Sequence, residues 1–128
     1  MREATIENKN GMRLSAISYG CAMTELTAPD RDGNYESVIL KYGDPEQYLE
    51  NPIYVGAVVG RIAGRIRNAE IDGVALTPSE APHHIHGGEE GITARHWDMD
   101  VDGQAIVFTY LSPDGEEGYP GNVRFKVI

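Results

Sequence analysis

Cysteine is nearly missing from this chain. Cys21 stands alone among 128 residues, so no internal disulfide can staple the fold. Flanked by Ala22 and Met23, it is expected to be a buried, inert thiol. Long apolar runs are missing as well. No stretch approaches a membrane span, and MREATIENKNG at the N-terminus lacks the apolar core of a signal peptide. A cytoplasmic protein with no membrane contact is the expectation. Positive charge is scarce, with 11 Lys and Arg against 20 Asp and Glu and a formal charge of −9. That balance argues against nucleic acid and anionic membranes as partners, since both need a surplus of cations. It leaves a neutral ligand such as a sugar open. Helix signals are few: Asp44 as N-cap, Pro45 at the first helical position and Gln47 at the third predict one short turn.

Turn residues are plentiful, with 15 glycines and 7 prolines. Asn10-Gly11, Asp72-Gly73 and Asp102-Gly103 each separate two strand-like segments, as two-residue hairpin loops do. Asp32-Gly33-Asn34 predicts a further turn. The run Ala105 to Leu111 is β-branched, aromatic and apolar on both faces, the pattern of a strand buried between two layers. Asn122 to Ile128 alternates like a strand. Residues 1–128 read as one all-β, antiparallel domain, long enough to bury a core without disulfides.

Three of the four histidines lie in PHHIHGG, at His83, His84 and His86. On a strand His84 and His86 would share a face, and Glu90 follows four residues later, so a metal site is one reading. His-x-His-x3-Glu partly resembles the start of a cupin metal motif. Pro78 and Trp97 stand where that pattern has glycines, however, and no histidine follows His96. His83 and His84, next to Pro82, suit a plain polar loop. For His86 the paired glycines Gly87 and Gly88 favour a sharp bend that presents its side chain to a cleft.

VGRIAGRI (Val59 to Ile66), HGG (His86 to Gly88) and SPDGEEGYPG (Ser112 to Gly121), in this order, resemble the aldose 1-epimerase family. The third block is the most specific, and the likeness covers the N-terminal part of that family's domain. It implies an antiparallel β-sandwich that binds an aldohexose, such as galactose or glucose, and interconverts its α and β anomers without a cofactor. Arg65 matches an arginine that binds sugar hydroxyls, and His86 a histidine beside the ring oxygen. Glu116 and Glu117 lie on a loop between two turns and read as structural there, with contact at the sugar rim as the alternative; the family does not use them catalytically. Gly64 stands where the family often has Asn. The family's general-acid histidine and general-base glutamate have no match here, nor has its sugar-binding aspartate. The expectation is therefore an incomplete sandwich with little or no epimerase activity alone, or a non-catalytic carbohydrate-binding module. Self-association is expected to cover the interior face of AIVFTYLS.

Overall fold

The computed structural model describes all of residues 1–128. The N-terminal segment forms strands β1 (Glu3–Glu7), β2 (Arg13–Ile17), β3 (Ala22–Pro29) and β4 (Tyr35–Ser37), paired antiparallel in that order. A small hairpin follows, β5 (Glu70–Ile71) and β6 (Val74–Ala75). The last strands, β7 (Asp98–Asp102), β8 (Ala105–Ser112) and β9 (Val123–Val127), form a three-stranded antiparallel sheet. No helix is long and apolar enough to cross a membrane.

Turn chemistry sets these pairings. Asp72 (φ 49°) and Gly73 (φ 81°) close a two-residue hairpin, both in the left-handed region that such a loop requires. Between β7 and β8 the loop is Gly103-Gln104, one residue later than expected, because Asp102 still pairs with Ala105. The first hairpin is wider than two residues. Asn8 Oδ1 accepts from the N–H groups of Asn10 and Met12, so the side chain organises a five-residue loop around Gly11. Asp30 does the same for residues 32 and 34 before β4. The expected helical turn is a 3₁₀ segment, Pro45–Leu49, closed by the reciprocal Asp44–Gln47 capping box.

The main core lies between the two larger sheets. Ala16, Cys21, Ile92, Trp97, Met99, Ile106 and Phe108 pack together there, with Ile6, Leu14, Val58 and Phe125 around them. Each large side chain buried there contributes about 2 kcal/mol from removal of apolar area. Burial pushes the Cys21 thiol up to about 12, which keeps it protonated and unreactive. β8 differs from its expected two-sided burial. Ile106 and Phe108 sit in the core under the first sheet, while Leu111 on the other face is exposed. Beside them the sheets part in an apolar trough of about 280 Å³ that ends at Val127 and Ile128.

A second cluster, Ile17, Ala22, Tyr48 and Val55, fixes the irregular segment of residues 50–66 to the β2–β3 connection. Backbone bonds reinforce it: Val58 N–H donates to Gly20, and Met23 N–H to Gly56. Residues 77–97, which carry all four histidines, pack beside this segment.

Candidate functional site

The PHHIHGG segment is a bend fixed on both sides of His86. His84 is fully buried and both its ring nitrogens are engaged. Nδ1 donates to the Thr77 carbonyl at 2.7 Å, which leaves Nε2 to accept the Tyr119 hydroxyl at 2.6 Å. Ile85 exchanges two 3.0 Å bonds with Ser79 Oγ. His86 (φ 53°), Gly87 (φ 84°) and Gly88 (φ 115°) then turn the chain through three consecutive left-handed residues. A Cβ on Gly87 would lie 1.5 Å from the Gly60 carbonyl oxygen, so only glycine fits. GRIAGRI thus begins as the surface against which HGG packs.

The third motif closes on the same place. Glu117 accepts the N–H groups of Glu89 and Glu90 at 3.2 and 3.0 Å. Its carboxylate fills the space that a Gly88 side chain would need, 2.2 Å from an ideal Cβ. Glu116 is almost wholly buried. It accepts Tyr110 Oη at 2.5 Å, Arg95 Nε at 3.1 Å and the Ser112 hydroxyl. Burial raises the Glu116 carboxyl, but those hydrogen bonds and the Arg95 charge outweigh it and hold the carboxyl below its ordinary range. Desolvation and the Glu116 bond push the Tyr110 hydroxyl up to about 12. Both glutamates hold loops together, as the sequence suggested.

His86 lines a hollow of about 120 Å³ with Tyr19, Asn51, Tyr54, Glu89 and Thr93 among its walls. Its ring lies 4.9 Å from that of Tyr54, and its Nδ1 is buried without a hydrogen-bond partner. A buried ring nitrogen with nothing to bond is costly in a purely structural residue. The hollow is smaller than the roughly 300 Å³ at the lower end of pockets that enclose a small ligand.

Arg65 does not line this hollow. It is exposed and donates through Nε to Glu80 Oε2 at 2.5 Å. The bond to Arg65 and its charge hold the Glu80 carboxyl below its ordinary range. His83 accepts the Asn68 N–H through Nδ1. No three His, Cys, Asp or Glu side chains are grouped to hold a metal ion, and His84, one member of the expected triad with His86 and Glu90, has no free nitrogen.

Arg61, the first arginine of GRIAGRI, has a part that its sequence position hid. Its guanidinium donates to Ser112 Oγ (2.8 Å) and to the carbonyls of Ser112 (3.1 Å), Pro113 (2.9 Å) and Pro120 (3.1 Å), and lies 5.4 Å from the Tyr119 ring centroid. It latches the acidic loop to the segment that carries HGG.

The three sequence blocks thus meet in one place. The sequence profile described as aldose 1-epimerase matches residues 2–128. The chain belongs to the aldose 1-epimerase family. Galactose mutarotase of Homo sapiens is 38% identical over 120 residues, 91% of this chain and 35% of that protein. Aldose 1-epimerase of Escherichia coli (strain K12) is 33% identical over 98% of this chain and 38% of its own length. Among solved structures, an aldose epimerase homologue from C. elegans superposes with a TM-score of 0.89 at 27% identity, covering 98% of this chain and 40% of that one. Galactose 1-epimerase from Lactobacillus acidophilus NCFM gives 0.81 at 32%, covering 97% and 38%. The fold is that of the galactose mutarotases, and the chain spans a little over a third of the relatives' length.

Proposed function

We propose that this chain carries one wall of an aldohexose site of the aldose 1-epimerase type. In that reaction a base takes the proton of the C1 hydroxyl while an acid protonates the ring oxygen. The ring opens, the aldehyde rotates, and closure on the other face gives the second anomer. Both groups must act together, because opening without protonation leaves an alkoxide. His86 carries the reading, with a ring at the hollow and a buried, unpartnered Nδ1. A neutral imidazole can donate or accept beside the sugar's ring oxygen. Arg65 is the second contact, a planar five-donor fork for sugar hydroxyls. Its exposed pair with Glu80 is cheap to rearrange.

Glu116 and Glu117 are engaged in the loops and serve as neither acid nor base in this reading. These 128 residues alone bind an aldohexose with little or no anomer exchange. We place the protein in the cytoplasm, where a lone thiol stays reduced. A second reading, a non-catalytic sugar-binding module, is favoured by the engagement of Glu116 and Glu117 in loop hydrogen bonds, which leaves neither carboxylate of the acidic loop free as acid or base.

Polarimetry on freshly dissolved α-D-glucose and α-D-galactose, paired with an NMR titration, tests both. The expected result is no acceleration over buffer, together with a galactose-dependent shift of the His86 ring signals and saturable galactose binding that His86→Ala weakens. Acceleration that disappears in His86→Ala overturns the inactivity and keeps the site. A His86 ring indifferent to sugar overturns the site.

A further inference from the structure

The acidic loop reaches the histidine bend at two points, one on each side of His86. Upstream, Tyr119 donates its hydroxyl to His84, two residues before His86. Downstream, Glu117 accepts the N–H groups of Glu89 and Glu90. Gly118 (φ 86°) lies between the two clamping residues. A Cβ there would stand 2.5 Å from the Ala75 carbonyl oxygen. Glu117 itself is left-handed (φ 51°, ψ 23°), a strained setting for a non-glycine residue. Its carbonyl accepts Thr77 N–H at 3.0 Å, and the Thr77 carbonyl in turn accepts from His84. The loop is thereby tied to the strand end that holds His84.

We infer that Glu117 and Tyr119 are positioning residues for His86, a two-point clamp that holds the bend from both sides and sets the angle of the imidazole in the hollow. The chemistry suits the task. A carboxylate accepting two backbone N–H groups forms the stronger, charge-assisted kind of hydrogen bond, and its acceptor atoms sit where a Gly88 side chain would otherwise be. A buried histidine bonded at both nitrogens cannot rotate without breaking a bond. Between these two fixed points the chain has only Ile85, held by Ser79, and the left-handed His86-Gly87-Gly88 turn. His86 has no hydrogen bond of its own through Nδ1, so its orientation comes from the backbone that carries it and the Tyr54 ring beside it.

This inference rests on the reading of His86 as a sugar contact, and the test separates the two. The full chain, labelled at histidine, is compared by NMR as wild type, Glu117→Gln and Tyr119→Phe, first without sugar and then with D-galactose. Glu117→Gln keeps the side-chain shape and one acceptor oxygen, and Tyr119→Phe keeps the ring and loses only the donor. Without sugar, each variant is expected to shift and broaden the His86 ring signals. Asn8→Ala, which loosens the distant β1–β2 loop, should leave them in place. With galactose, each clamp variant raises the dissociation constant about tenfold, the cost of one charge-assisted or buried hydrogen bond. A His86 ring unchanged in both clamp variants overturns the clamp, whatever the sugar does. A wild-type ring indifferent to galactose, with the ring still displaced in the variants, overturns the sugar reading and leaves the clamp standing. Should Tyr119→Phe fail to fold, Glu117→Gln alone decides.

Discussion

Glu116 shows how a single side chain can couple this molecule to pH. Its carboxylate is buried, and burial alone would favour the protonated acid. Three donors reverse that preference and hold its titration below the ordinary value. The sign of the linkage follows. A depressed folded-state value contributes stability that is fully present above about pH 4.3, the unfolded value of a glutamate, and is lost as pH falls through the folded value. Glu116→Gln is expected to cost about 2 kcal/mol at neutral pH, since it leaves Arg95 and two hydroxyls poorly matched. Thermal unfolding from pH 7 to pH 3 should show the gap between wild type and variant closing as the buffer becomes acid. A gap independent of pH would mean that the carboxylate charge plays no part. Glu25, Asp30 and Glu80 are also depressed, so some acid sensitivity persists in the variant.

Among the elements, turns were legible in the sequence and long-range contacts were not. Asp72-Gly73 closes its hairpin as read, and the Asp44–Gln47 box caps its turn as read, because both depend on residues within four positions of each other. The wider loop at Asn8 needed one more local fact, an Asx side chain two residues ahead of Asn10. Arg61 bonding to Pro120, and His84 to Tyr119, join residues 59 and 35 positions apart, and no local pattern announces such pairs. The same division gives a test on glycines. Gly87 and Gly115 have nearly equal φ, 84° and 85°, but an added Cβ meets Gly60 at one and nothing at the other. Gly115→Ala should cost about 1 kcal/mol, from left-handed backbone strain alone. Gly87→Ala should cost about 3 kcal/mol or more, because the carbonyl must move as well. Denaturant unfolding of both variants measures the difference. Equal losses would mean that the HGG bend does not lean on GRIAGRI.

For the molecule as a whole, the apolar trough between the sheets is an unfinished surface. The sequence led us to expect the inner face of AIVFTYLS to be open. Instead the first sheet covers Ile106 and Phe108, and the opening has moved to the end lined by Met23, Val127 and Ile128. The proposed self-association would cover it. Light scattering should show a mass that grows with concentration, and a charge placed at Val127 should reduce it; a strict monomer over the whole range would end that proposal. The two-point clamp on His86 also has a consequence for biosynthesis. Its halves are 28 and 35 positions apart along the chain. A ribosome making this protein releases the imidazole well before Glu117 and Tyr119, so the nascent bend waits untethered until the connection between β8 and β9 emerges. Any frame that stops between Gly88 and Glu116 would yield a histidine with no grip on its orientation.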